Sequence, residues 1–95
     1  MANHQYDHGV TPAVAVGFWL VEVHKSQNND TLWYRVGTQL QGDQIIWGPS
    51  RQYDHGVTPA VATAGQIVVE VHKSQNNDTL WYHVGTIQGD QINWS

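Results

Sequence analysis

Three side chains that could recognise a polar, uncharged ligand fall within a short stretch of this sequence. Glu22 precedes Trp33 and Arg35 by 11 and 13 positions. Carboxylate and guanidinium groups make strong charge-assisted hydrogen bonds, and an indole ring offers a flat apolar surface. A neutral sugar needs both, because it presents hydroxyl groups and a C–H face. The structural alternative is a cross-strand Glu–Arg pair beside a core tryptophan.

This stretch belongs to an internal duplication. Three segments recur with an offset of 47 or 48 residues: 5–15 as 52–62, 21–34 as 69–82, and 41–45 as 88–92. Repeats of this length that are rich in strand formers are typical of propeller blades. We therefore divide the chain into repeat 1, residues 1–48, and repeat 2, residues 49–95, and predict one blade from each.

Turn-forming residues divide each repeat into four short strands. The predicted strands are residues 13–16, 20–24, 31–36 and 44–47, with copies at 60–63, 67–72, 79–84 and 91–94. Side chains alternate between the two faces of a strand. Antiparallel pairing of the second and third strands would therefore bring Glu22 and His24 to the same face as Trp33 and Arg35.

The predicted fold class is all-β, with two four-stranded antiparallel propeller blades per chain, completed to a closed β-propeller by homo-oligomerisation. Two sheets alone would leave broad apolar faces in water, and repeat proteins generally need about three units for stability. Because each chain contributes two blades, the blade count of a ring is even. We favour a trimer with six blades and place a tetramer with eight blades second.

Composition argues against several classes of partner. The 95 residues include 4 basic and 8 acidic side chains and no cysteine, for a net charge of −4. We expect no nucleic-acid binding, because that requires many cations to neutralise phosphates. We expect no membrane insertion, because no apolar stretch approaches the roughly 18 residues of a spanning helix. No signal-peptide pattern is visible, and the sequence does not indicate a compartment.

We also predict that the protein is not an enzyme and has no cofactor. Hydrolysis of a glycosidic bond generally needs two flanking carboxylates, whereas each repeat places one glutamate on a strand, Glu22 or Glu70. No spacing typical of metal ligands occurs, so no metal site is predicted. Asp7 and Asp54, each followed by His-Gly, are interpreted as turn residues.

Four segments of the chain, YDHGVTPAVA, VEVH, LWYRVG and IIWG, resemble the blade repeat of the PLL-type bacterial lectins, seven-bladed β-propellers that bind fucose and related sugars. The resemblance covers both repeats. It implies a multivalent carbohydrate-binding lectin that recognises fucosylated or related glycans in grooves between adjacent blades. This chain departs from the family in having two blades, and in carrying His83 at the position of Arg35. The alternative function is an engineered or symmetrised propeller scaffold without significant sugar binding.

Twelve residues are candidates for sugar contact. They are Glu22, His24, Trp33, Tyr34, Arg35 and Trp47 in repeat 1, and Glu70, His72, Trp81, Tyr82, His83 and Trp94 in repeat 2. For His24 and His72 the alternative is a hydrogen bond to a loop carbonyl. For Trp47 and Trp94 the alternative is packing beneath the next blade.

Overall fold

The fold consists entirely of β-strands and their connections in the part of the chain that the structure describes. The computed structural model covers residues 3–17 and 19–95, without the side chains of residues 39 and 40. Its strands are β1 (Val10–Val16), β2 (Leu20–Lys25), β3 (Thr31–Gln41), β4 (Gln44–Trp47), β5 (Arg51–His55), β6 (Val57–Ala64), β7 (Ile67–Lys73), β8 (Leu80–Gln88) and β9 (Gln91–Trp94). The all-β prediction is confirmed. Across these residues, no helix is long and apolar enough to span a membrane.

The strands form two antiparallel sheets. Sheet 1 has the order β1-β2-β3-β4, with β5 also paired to β3, and sheet 2 has the order β6-β7-β8-β9. The four predicted strands of each repeat are present. Strand β3 is longer than predicted and runs to Gln41, because its pairing with β4 continues through a register shift between Gly37 and Gln39.

Strand β5 was not predicted, and it crosses from one repeat to the other. Its residues belong to repeat 2 by sequence, but they pair with β3 of sheet 1, with Leu32 opposite Asp54 and Tyr34 opposite Arg51. The amide of Gly56 then donates to the carbonyl of Asp30 at 2.8 Å. Repeat 2 therefore supplies the fifth strand of sheet 1.

The hydrophobic core lies between the two sheets. It contains Val21, Val23, Tyr34 and Val36 from sheet 1, and Val68, Ile87 and Ile92 from sheet 2. Leu32 is also fully buried. One apolar face of sheet 1 is thus covered by sheet 2.

The equivalent face of sheet 2 is exposed. It consists of Val69, Val71, Leu80, Tyr82 and Val84, which we call the open face. These residues are the repeat 2 copies of Val21, Val23, Leu32, Tyr34 and Val36. The same side chains are therefore core in one repeat and surface in the other.

Candidate functional site

The register of the second and third strands brings the predicted polar residues together. In sheet 1, Glu22 lies opposite Arg35 and His24 lies opposite Trp33. In sheet 2 the same register places Glu70 opposite His83 and His72 opposite Trp81. The shared face predicted for repeat 1 is confirmed, and repeat 2 has the same arrangement.

The strand glutamates are buried and fully engaged. Glu22 is 2% exposed, and it accepts hydrogen bonds from the Tyr6 hydroxyl at 2.8 Å and from His24 Nδ1 at 3.0 Å. Burial, reinforced by the hydrogen bond to Glu22, raises the pKa of Tyr6. Glu22 thus fixes the orientation of the His24 ring and leaves very little of its carboxylate exposed. Its role as a sugar contact stays a prediction.

Arg35 forms an ion pair with a residue that the sequence assigned to a turn. Its Nε donates to Asp7 Oδ2 at 2.9 Å, and its Nη1 donates to the carbonyl of Gly48 at 2.8 Å. His24 Nε2 lies 3.5 Å from the same Asp7 oxygen. Asp7 and Arg35 retain about a fifth of their side-chain surface, 22% and 20%, so this pair reaches solvent.

Two pKa values in this network shift in opposite directions. Burial acts to raise the pKa of Asp7, but the hydrogen bonds from Arg35 and the His8 amide, with the charges of Arg35 and His24, together lower it below its ordinary value. The hydrogen bond to Glu22 outweighs burial and raises the pKa of His24. Both shifts favour the charged forms.

Repeat 2 builds the same network with a histidine in place of the arginine. Glu70 accepts from the Tyr53 hydroxyl at 2.6 Å and from His72 Nδ1 at 2.9 Å. His83 Nε2 lies 2.5 Å from Asp54 Oδ2, and His72 Nε2 lies 3.5 Å from that oxygen. Burial acts to raise the pKa of Asp54, yet the hydrogen bonds with His83 and the His55 amide, together with the two nearby imidazoles, give a net lowering.

The two indoles on this face are held by threonine hydroxyls. Trp33 Nε1 donates to Thr31 Oγ1, and Trp81 Nε1 donates to Thr79 Oγ1, both at 2.9 Å. Trp33 is half-buried beside β5, where Gln52 pairs with it. Trp81 is 59% exposed. Each ring is therefore fixed in orientation and keeps some accessible surface.

The remaining four predicted residues are aromatic, and three of them, Tyr34, Trp47 and Trp94, pack against other rings. Tyr34 is 4% exposed, and its hydroxyl accepts a hydrogen bond from the amide of Ile92 at 2.9 Å. Trp94 stacks on Tyr53 with ring centroids 5.0 Å apart, and Trp47 stacks on Tyr6 at 5.4 Å. Tyr82 lies on the open face. Trp94 and Trp47 therefore adjoin the polar network through Tyr53 and Tyr6, and the Trp94 ring also lies 5.7 Å from the His83 ring.

Two clefts adjoin repeat 1. The larger has a volume of about 550 Å³ and is lined by Asn3, His4, Gln5, Tyr6, Pro12, Ala13, Val14, Glu22, Asp43, Gln44, Ile45 and Trp47. The smaller, about 180 Å³, is lined by Tyr6, Asp7, His8, Gly9, Pro12 and His24. The smaller cleft adjoins the Asp7 carboxylate, and the larger is mostly apolar.

The sequence interpretation missed Asp7, Asp54, Tyr6 and Tyr53 as members of the network. A turn does account for one oxygen of each aspartate, because the amides of His8 and His55 bond to Asp7 Oδ1 and Asp54 Oδ1 at 2.7 Å. The other oxygen reaches the strand histidine. Retention of Tyr-Asp-His-Gly in both repeats was the available signal.

Comparison with protein-family models, curated proteins and solved structures gave no match. The function is therefore argued from the residues and contacts of the chain itself. The most informative internal reference is the second copy of each segment.

Proposed function

We propose that this chain is a subunit of a ring-shaped, multivalent lectin that binds fucose or related sugars in the grooves between adjacent blades. The proposal has two parts, self-assembly and sugar recognition. The observation that carries it is the inequality between the repeats, since identical segments are covered in one repeat and bare in the other.

The open face supports assembly first. Leu32 is fully buried whereas Leu80 is 81% exposed, and Tyr34 is 4% exposed whereas Tyr82 is 70% exposed. Contiguous apolar surface of this kind is typical of an interaction site. Within the chain, one side of sheet 2 covers the equivalent face of sheet 1. The open face would need a surface of the same kind from another copy of the chain.

The larger cleft has the properties of the complementary surface. Within the chain, Tyr34 lies against the rings of Tyr53 and Trp94, with centroids 6.1 and 5.8 Å away. The repeat 1 equivalents of these two rings, Tyr6 and Trp47, line the larger cleft. Tyr82 of a second copy would therefore pack against Tyr6 and Trp47 in this cleft, as Tyr34 packs against Tyr53 and Trp94 within the chain. Its hydroxyl would accept from the amide of Ile45, the equivalent of Ile92.

Backbone pairing supports the same docking mode. Residues 4–8 are the repeat 1 counterpart of β5, and they lie outside the strands of sheet 1. On β8, the edge that corresponds to the β5-binding edge of β3 pairs with β9 from Gly85 onwards, but residues 80–82 have no strand paired on that side within the described residues. Residues 4–8 of a second copy would add to β8 as a fifth strand, a common mode of recognition between sheets and extended segments.

An interface that joins a face on one copy to a cleft on the next is heterologous, and such interfaces close into rings or continue as filaments. Propellers commonly contain 4 to 8 blades. Three copies would give six blades and four copies would give eight, and we favour the trimer.

Sugar recognition is assigned to the polar face of each sheet. Trp33 and Trp81 would stack on the apolar side of the sugar ring. The partly exposed Asp7–Arg35 pair, and its counterpart Asp54–His83, would bind hydroxyl groups. We assign Glu22, Glu70, His24 and His72 to positioning these groups, because they are buried. Tyr34, Tyr82, Trp47 and Trp94 are assigned to contacts between sheets.

The alternative is a propeller scaffold without significant sugar binding. One observation favours it: the hydrogen bonds of Glu22 and the ion pair of Asp7 are already satisfied within the chain. A site that is internally saturated need not bind a ligand. The proposal includes no catalytic activity in either case.

Native mass spectrometry with and without L-fucose tests both parts, because one spectrum counts chains and bound sugars. We expect three or four chains with saturable adducts. A ring that binds no monosaccharide from a panel would favour the scaffold, and a monomer at micromolar concentration would contradict the assembly.

A matched variant identifies the sugar surface. The double substitution Trp33→Ala and Trp81→Ala should remove the fucose adducts, because it deletes the stacking plane in both repeats. Ile46→Asn is the control, since Ile46 is exposed and the equivalent residue of repeat 2 is already Asn93. Undiminished fucose binding by a folded double variant would refute the stacking assignment.

A further inference from the structure

We propose that Asp54, His72 and His83 form a binding site for one divalent transition-metal cation, with Zn²⁺ as the best fit, and that repeat 1 lacks this site. The inference does not rest on the proposed sugar binding, and in repeat 2 a bound ion would take the place of the direct contact between the Asp54–His83 pair and a sugar hydroxyl. It also differs from the sequence prediction, in which no metal-ligand spacing was found.

The three side chains converge in space although they are distant in the chain. Their ligand atoms lie within 4.8 Å of one another. Asp54 comes from β5, His72 from β7 and His83 from β8. Two imidazoles and a carboxylate are ligand types that Zn²⁺ accepts. Because β5 pairs with sheet 1, a bound cation would connect the two sheets.

The hydrogen bond to Glu70 selects the tautomer of a neutral His72 ring. A carboxylate can only accept, so His72 Nδ1, at 2.9 Å from Glu70 Oε2, carries the proton. In the neutral ring, Nε2 is then an unprotonated acceptor, and it points at Asp54 Oδ2 from 3.5 Å. Two acceptors that face each other are favourable when a cation lies between them. A carboxylate behind a ligating histidine is also the usual outer partner in zinc sites.

In repeat 1 the position equivalent to His83 carries a permanent positive charge. There the Arg35 guanidinium bonds to Asp7 at 2.9 Å and supplies it. Repeat 2 keeps the aspartate, the glutamate and the strand histidine, but replaces the permanent cation with His83, an ordinary metal ligand. A divalent cation restores the charge that the substitution removed.

The site is open enough to complete a coordination shell. His83 and Asp54 keep 31% and 33% of their side-chain surface, whereas His72 keeps 4%. Water would take the fourth position of a tetrahedron. Ligand atoms around tetrahedral zinc lie about 3.3 Å apart given metal–ligand distances of about 2.0 Å. His83 Nε2 and Asp54 Oδ2, now 2.5 Å apart, must separate slightly to admit the ion.

Isothermal titration of tag-free, EDTA-treated protein with Zn²⁺ tests the site, in buffer without sugar. The wild type should bind one ion per chain, and Co²⁺ should give the visible absorption of a four-coordinate complex. Binding should also raise the melting temperature, because the ion binds the folded chain. No measurable Zn²⁺ binding at millimolar concentration would overturn the proposal.

The repeats provide reciprocal variants. His83→Arg copies the arrangement of repeat 1 and should weaken Zn²⁺ binding at least roughly tenfold. Arg35→His copies repeat 2 and should raise the stoichiometry from one ion per chain to two. Glu70→Gln should weaken affinity about 10- to 100-fold by removing the outer partner of His72.

His55→Gln is the matched control, because His55 is an exposed histidine next to Asp54 whose side chain is not a proposed ligand. It should bind Zn²⁺ like the wild type. Circular dichroism and thermal melts of the metal-free variants check that each one folds. Wild-type affinity in folded His83→Arg, or an unchanged stoichiometry in folded Arg35→His, would show that the metal lies elsewhere.

Discussion

The segment Leu-Trp-Tyr occurs once in each sheet, in two different environments. In sheet 1 the leucine and tyrosine are core residues, and in sheet 2 they are exposed. The pairing of the second strand with the third is the same in both. The difference comes from the neighbours: β3 has β5 beside it and sheet 2 on its face, whereas the same part of β8 has no fifth strand within the described residues and its face is exposed to solvent. Each repeat can therefore form its sheet alone, but its apolar face is buried only when a second sheet packs on it.

We expect the largest effect from placing a charge on the open face. Leu80→Asp should abolish self-assembly and leave a folded monomer, because a carboxylate would have to be desolvated in the interface. Sedimentation velocity measures the outcome, with Ile46→Asn as the control that keeps the assembly. An assembled Leu80→Asp protein would mean that the open face is not the contact surface.

The second test compares Tyr34 with Tyr82 in that monomeric background. Tyr34→Ala should lower the free energy of unfolding by about 3 to 5 kcal/mol, because it creates a cavity in the core. Tyr82→Ala should change it by less than about 0.5 kcal/mol, as is usual for an exposed residue. Urea denaturation gives both values. Equal losses would contradict the assigned difference in burial.

The smallest effect concerns pH and the polar network of repeat 1. The folded pKa of His24 is raised, chiefly by its hydrogen bond to Glu22, with burial opposing and Asp7 contributing. Its stabilising contribution is therefore fully present below the unfolded pKa of about 6.5 and is lost as pH rises through the folded pKa. The stability difference between wild type and His24→Gln should shrink from pH 6 to pH 9 in urea titrations. A difference independent of pH would contradict the shift.

Much of the fold could be predicted because each predicted strand, with the turns that bound it, occurs in both repeats. The turns between them recur at fixed offsets, and the alternation of Val21 and Val23 with Glu22 identifies the faces. Strand β5 could not be found in this way. Its residues have no apolar alternation, and it forms because the edge of β3 is available to a segment of the other repeat.

The candidate site was predictable where it depends on register, and not where it depends on contacts between distant segments. Pairing of β2 with β3 places Glu22 opposite Arg35. Asp54, by contrast, satisfies a local turn with one oxygen and reaches His72 and His83 with the other. The three ligands are separated by 18 and 11 residues, which matches no local motif.

The contribution of β5 by repeat 2 to sheet 1 also bears on how such a chain could gain or lose repeats. Sheet 1 borrows its fifth strand from the following repeat, so the unit that folds is shifted along the chain from the unit that is duplicated. If one whole duplicated unit were added or deleted, the first repeat would still have an unpaired counterpart of β5. The last repeat would still have an unpaired counterpart of the β3 edge. Under the proposed assembly, ring size would then be set by the angle between neighbouring sheets, and gene length would set only how many polypeptides share the ring.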